Sequence, residues 1–235
     1  MTNPSSPSGS AQGKTVVITG AAGALGKKTA HTFAARGHSL VLLGHDPAEL
    51  DALTGELNIS ANRLLVQAID LRDGDAVRST AEAVAAKFEG AHALIHLVGG
   101  WVGGKTLAEG DAKDLEFMLD QHVWTTFYLF QSFAPQLARH GWGRVMIVSS
   151  STVSHPPDKR GFYTAAKAAQ ENLVLTLAAE MKDKGVTANI IQVRAIDVDG
   201  TRKGTGTTPA EIVAAMSYLF SEEAGRVNGA RIPLY

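Results

Sequence analysis

From residue 15 onward, short unbroken apolar runs alternate with longer stretches whose apolar positions recur at helical spacing. "TVVITG" predicts a buried strand, and "GKKTAHTFAARG" after it predicts a helix closed by Gly37. The same reading gives strands at "HSLVLLG", "NRLLVQAIDL", "AHALIHLVGG", "GRVMIVSSS", "VTANIIQVRAI" and "ARIPLY". The helices between them are "PAELDALTGEL", "RDGDAVRSTAEAVAAKFEG", one long helix over residues 112 to 139, "FYTAAKAAQENLVLTLAAEMKDKG" and "TPAEIVAAMSYLFS". Strands that are apolar throughout, instead of every second residue, predict a sheet covered on both faces. Seven strands and six helices in strict alternation therefore predict an α/β fold with one doubly wound, mainly parallel sheet and helices on both faces.

Composition narrows the class of molecule. A chain of 235 residues with 45% hydrophobic content suits one domain, and neither a repeat nor an interdomain linker interrupts it. Its 22 basic and 23 acidic side chains leave no net field to draw it to nucleic acid or an anionic membrane. The absence of cysteine removes disulfides, thiolate nucleophiles and cysteine metal sites, and is compatible with the cytoplasm. The histidines show no ligand spacing, so no metal is expected. "MTNPSSPSGSAQG", residues 1 to 13, reads as a disordered arm without the apolar stretch of a secretory signal, which leaves 14 to 235 as the domain. No apolar run approaches the roughly 20 residues that span a bilayer, so a soluble protein is expected.

The first strand turns into the first helix through "TGAAGALG", residues 19 to 26. Glycines there permit a tight turn, close approach of backbone to a pyrophosphate and close helix-to-strand packing, with phosphate on the helix N-terminus. Gly20, Gly23 and Gly26 supply these, with Ala24 and Leu25 between them; the plain alternative is a glycine-rich turn without a ligand. An acidic residue to hold a ribose 2′-hydroxyl is expected about 20 residues on. Gly44 occupies that place in "LLGHDP", Asp46 comes two residues late, and His45 either approaches a 2′-phosphate or is an ordinary loop histidine. Cofactor preference is open between NAD and NADP, leaning to NADP. "YTAAK" sets Tyr163 and Lys167 on one helix face at i and i+4, where a cation lowers a phenol's pKa from its usual value of about 10.

With Ser150 thirteen residues before Tyr163, these features resemble, in order and spacing, the short-chain dehydrogenase/reductase family from about residue 14 to the end. The resemblance implies a Rossmann-type fold and an NAD(P)-dependent oxidoreductase that passes a hydride between nicotinamide and a small carbonyl or alcohol. In it, Tyr163 exchanges a proton with the substrate oxygen, Ser150 hydrogen-bonds that oxygen, and Lys167 holds the ribose and lowers the tyrosine's pKa. Asp70 and Leu71 are implied to contact adenine, Val98 and Gly99 its ribose, and the Ile196 backbone the nicotinamide amide. Asp70 alternatively caps the following helix.

Several positions depart from the family. His96 and Leu97 replace the asparagines of NNAG, and Val193 and Arg194 replace Pro-Gly. His122 stands where many members have the asparagine that anchors a water relay to the lysine; it either holds that water or only packs. "DVDGTRKGTGTT", residues 197 to 208, lacks the apolar material of a lid, so an open cleft is expected. "GGWVGG" and "QHVWTT" resemble the dihydropteridine reductase branch, where Trp101 would stack on a flat pterin; otherwise Trp101 is a plug or subunit contact. Ser150 favours a carbonyl or alcohol over a pterin. His155 is a candidate substrate contact. Excess apolar faces on the helix over 112 to 139 and on the Tyr163 helix predict a homodimer or homotetramer. The other class of function is a non-catalytic NAD(P)-binding sensor or assembly protein on the same fold.

Overall fold

The computed structural model describes residues 13–235. The predicted arm therefore lies, apart from Gly13, outside the described residues. The strands are β1 (Thr15–Thr19), β2 (Ser39–Gly44), β3 (Leu64–Ala68), β4 (Ala93–His96), β5 (Gly143–Ser150), β6 (Val186–Val193) and β7 (Arg231–Pro233). They form one sheet in the order β3-β2-β1-β4-β5-β6-β7, and every pairing is parallel.

The helices are α1 (Ala24–Ala35), α2 (Pro47–Glu56), α3 (Gly74–Phe88), α4 (Ala112–Leu119), α5 (Thr125–Arg139), α6 (Gly161–Glu180) and α7 (Pro209–Phe220). Two cores follow from strand alternation. On one face Val17, Leu94, Val145 and Ile190 meet Val77, Phe133 and Val174 from α3, α5 and α6. On the other, Val16, Ile95, Met146 and Ile191 meet Phe33, Leu50 and Met216 from α1, α2 and α7. Residues successive along a strand thus serve opposite cores, which is why the strands are apolar throughout.

The long helix expected over 112 to 139 is not uniform. Between α4 and α5 the chain makes one π-helical turn, Asp120–Trp124, and runs on without leaving the helix. Trp124, its last residue, and Phe127 just beyond it stay substantially exposed, Trp124 stacking on Tyr128 with ring centroids 5.7 Å apart.

Strand order reverses between β1 and β4, and the crevice beyond their C-terminal ends is where open α/β sheets bind ligands. The loops after β1 and β4 line it. Among the described residues no helix is long and apolar enough to cross a membrane.

Candidate active site

At the head of α1, Gly20 adopts φ +64 and lies against the Leu97 carbonyl carbon, where a Cβ would be 3.4 Å away. Gly26 is more constrained. A Cβ on it would lie 2.1 Å from the Gly20 carbonyl oxygen, so only glycine lets α1 pack this close to the turn. Gly23 is the N-cap and provides no side-chain cap, which leaves the first-turn N–H groups of α1 directed into the crevice without a side-chain partner.

Two connected clefts open here. The first, about 500 Å³, is lined by Gly20, Gly23 and Gly26 of the glycine turn and by Gly99, Trp101, His122, Ser150, Tyr163, Lys167, Arg194 and Ile196. The second, about 750 Å³, shares Gly20, Gly23, Val98 and Gly99 and continues to His45, Asp70 and Leu71.

Ser150 ends β5, and its Oγ accepts from the Thr152 N–H at 3.2 Å and from the Thr152 hydroxyl at 3.0 Å. Its own proton is thereby left to donate into the cleft. Tyr163, in the first turn of α6, has its phenol pushed above the usual value by burial; the Ser150 hydroxyl and the Arg160 charge act the other way. The lowering expected from Lys167 is not among the causes, because the ammonium turns elsewhere. It donates to the Val148 carbonyl at 2.9 Å and to Gln170 Oε1 at 2.9 Å. Burial brings Lys167 down to about 8, opposed by the Glu171 carboxylate one turn further along the helix. Glu171 is itself fully buried, accepting from Gln192 Nε2 at 2.9 Å and Arg231 Nε at 2.6 Å, which pins α6 to β6 and β7.

The profile of the family described as short chain dehydrogenase matches residues 14–207. The chain belongs to the short-chain dehydrogenase/reductase family. It is 27% identical over 235 residues to D-threitol dehydrogenase of Mycolicibacterium smegmatis, covering 93% of this chain and 90% of that one. It is 25% identical over 190 residues to 7alpha-hydroxysteroid dehydrogenase of Escherichia coli, covering 81% and 74%. The fold matches a short-chain type dehydrogenase/reductase from Mycobacterium ulcerans with a TM-score of 0.88 at 23% identity, over 95% of this chain and 88% of that one. A short chain dehydrogenase from Bacillus anthracis matches with a TM-score of 0.85 at 24% identity, over 94% of each.

Within this chain, Ser150, Tyr163, Lys167, His122, Ile196 and the glycine turn converge on the first cleft, and His45, Asp70 and Leu71 on the second. Val98 and Gly99 join the two. Two expectations need correction. Asp70 does not cap α3: its carboxylate takes the Arg72 guanidinium at 2.7 Å, and Asp73, one helical turn nearer the helix, is the cap. His155 is exposed and outside both clefts, because its backbone turns back onto the Ser151 carbonyl.

His122 lines the first cleft. Its Nε2 lies 2.9 Å from the Gly100 carbonyl oxygen and 3.3 Å from the Gly100 N–H, so the tautomer sets whether it donates to the one or accepts from the other, and its buried Nδ1 has no partner in the protein. The ring packs on Gly99, where a Cβ would come within 2.5 Å of it, and reaches no hydrogen bond with Lys167. The lysine is linked to the π-turn by another route. Gln170 Nε2 donates to Thr126 Oγ1 at 2.8 Å, and that hydroxyl donates to the His122 carbonyl at 2.6 Å. Gln170 lies three residues after Lys167, so the i,i+3 rule applied to "KAAQ" would have found the first link. His96 is a satisfied core histidine, bonded to Thr19 at 2.8 Å and held neutral at about 3 by burial.

Gln170→Leu removes an acceptor from a buried ammonium. A hydrogen bond to a charged group contributes about 1.5–3 kcal/mol, so the Lys167 pKa is expected to fall by about one unit or more. Since the ammonium is the form below its pKa, the alkaline limb of the pH–rate profile should move to lower pH by that amount. An unmoved limb would show that Gln170 only fills space.

Proposed function

We propose that the described residues act as one dinucleotide-binding catalytic domain that reduces a small carbonyl compound with NADPH, Tyr163 giving the proton. The observation that carries this reading is the meeting of Ser150, Tyr163 and Lys167 in the cleft that begins at the glycine turn.

The residues fit a dinucleotide. Gly23 places no side chain on the uncapped first turn of α1, where a pyrophosphate would sit, Gly20 and Gly26 let the turn and the helix close behind it, and Asp70, Leu71 and Val98 line the adenosine end. Gly44 offers no side chain to the ribose, and the Asp46 carboxylate is taken by the Ala48 N–H at 2.8 Å as the cap of α2. His45 beside it stands exposed at the same cleft, open to a 2′-phosphate. The bound cofactor supplies the hydride.

The protein's own groups supply position and the proton. The Ser150 hydroxyl donates to the carbonyl oxygen and fixes it beside the phenol. As the C=O π bond is reduced, the phenolic proton passes to that oxygen. A phenol pushed upward by burial is fully protonated near neutrality, which suits the direction of reduction. Lys167, charged below about 8, has one N–H left after Val148 and Gln170 with which to hold a ribose hydroxyl. The buried Nδ1 of His122, without a partner in the protein, is open to a hydroxyl at the cleft wall. Trp101 is 58% exposed at the mouth of the cleft, and the segment from Asp197 to Thr208 forms no helix over it, so the substrate enters an open site. Ser150 favours a carbonyl over a pterin. The exposed rings of Trp124 and Phe127 are read as the seam of a homodimer or homotetramer.

The test is cofactor absorbance with a panel of aldehydes, ketones, quinones and pterins, alongside titrations of NADPH and NADH. Turnover of a carbonyl member and about ten-fold tighter binding of NADPH are expected, a difference of about 1.4 kcal/mol. Binding of both cofactors with no turnover would mean a sensor, and equal affinities would remove the role given to His45.

A further inference from the structure

The cleft that holds Ser150 and Tyr163 is lined by two permanent or near-permanent cations, Lys167 and Arg194, and among the described residues by no carboxylate side chain. Lys167 is committed to Val148 and Gln170. Arg194 forms no ion pair with an acid among the described residues; its guanidinium lies over the Tyr235 ring, 5.3 Å from the centroid.

The register of the sheet places that side chain. β6 pairs with β7 through Ile190 with Arg231 and Gln192 with Pro233, so Arg194 and Tyr235 follow as neighbours just past the strand ends. Arg194 itself lies in a bend just past β6, two residues after Gln192, whose amide reaches Glu171 of α6. It lines the first cleft together with Ser150, Tyr163, Lys167 and Ile196, and not the second cleft that runs on to His45 and Asp70. Arg194 thus belongs to the part of the cleft that holds the acid–base group.

We propose that Arg194 receives the carboxylate of the substrate, so that the compound reduced is an oxo acid and the product a hydroxy acid. The inference rests on the carbonyl-reductase reading above. A planar guanidinium stacked on an aromatic ring keeps its N–H edge free for a bidentate bond to a carboxylate. Hydride adds to the carbonyl carbon, the oxygen takes the Tyr163 proton, and the carboxylate is unchanged.

The test pairs oxo acids of graded length with their methyl esters. The acid is expected to exceed its ester in kcat/KM by about ten-fold or more, the scale of one charge-assisted hydrogen bond. Arg194→Leu should shrink that ratio to near unity, and Arg194→Lys should restore part of it. In parallel, each acid and ester is titrated into the enzyme with NADP⁺ and read by tryptophan fluorescence, since Trp101 lines the same cleft. Acid-selective binding that Arg194→Leu abolishes supports the role of Arg194 even if no panel member is turned over, in which case only the catalytic reading falls. Equal binding of acid and ester overturns the proposal. So does a loss of NADPH affinity in Arg194→Leu as large as the loss for the acid, which would assign the guanidinium to the cofactor.

Discussion

Tyr163→Phe is expected to lower the turnover of a carbonyl substrate by about 10²–10⁴-fold, the contribution typical of one general acid, while NADPH still binds. The size follows from the surroundings of the phenol. Ser150 lends one donor to the substrate oxygen, but its Oγ is fixed by two bonds from Thr152 and it has no base behind it to replenish a proton. Lys167 is turned to Val148 and Gln170 and cannot take over the transfer. The phenol is thus the one group at the reacting end whose proton is both acidic enough and free. The Phe variant keeps the ring and its edge-on contact with His122, at 5.7 Å between centroids, so the comparison isolates the hydroxyl. Stopped-flow measurement of NADPH oxidation checks this, and unchanged turnover in the variant removes Tyr163 from the mechanism.

The second large effect is on stability in acid. Burial holds His38 at about 4 and both His96 and His122 at about 3, each below the usual value of about 6.5. All three side chains are nearly inaccessible, which makes the penalty for charging them substantial. The unfolded chain binds protons on these groups before the folded one does. Their neutral state supports the fold in full above about pH 6.5, and that support is lost as pH falls toward 4. At about pH 5 each favours the unfolded chain by about 2 kcal/mol, and together by about 6 kcal/mol, against a whole-domain stability of about 5–15 kcal/mol. Urea unfolding followed by circular dichroism should show a steep fall in midpoint between neutral pH and about pH 5. His96→Asn keeps a donor and an acceptor for Thr19 without a titrating ring, and should move the acid transition to lower pH. A midpoint independent of pH over this range, or unmoved in His96→Asn, would contradict this account.

The architecture was legible because the chemistry that writes it is local and repeated. Strands such as "TVVIT" are apolar at every position because successive side chains enter opposite cores, and that pattern survives without any knowledge of partners. Gly26 was legible for the same reason, since a close approach of helix to turn admits one residue type. The π-turn was not: "DQHVW" has neither glycine nor proline, and one more residue per turn leaves the composition of a helix unchanged. In "DLRDGD" three carboxylates compete for one cap, and only the helix start decides for Asp73 and frees Asp70 for Arg72. His122 could be identified as a substitution, but its direction depends on a backbone carbonyl at Gly100 across a loop. Arg194 was visible as a departure, while the ring it lies over is brought alongside by the register of β6 against β7.

The π-turn has a consequence beyond the cleft. A helix advances about 100° per residue, so one residue accommodated in a wider turn rotates everything after it relative to everything before. Thr126, which ties Gln170 to the His122 carbonyl, points inward, and Trp124 and Phe127, which face solvent, point outward on the same stretch. Removing one residue between Asp120 and Trp124 would swing both sets together. The inner contact that seats Lys167 and the outer aromatic face therefore share one phase angle along the helix, and neither can be retuned by insertion or deletion without displacing the other.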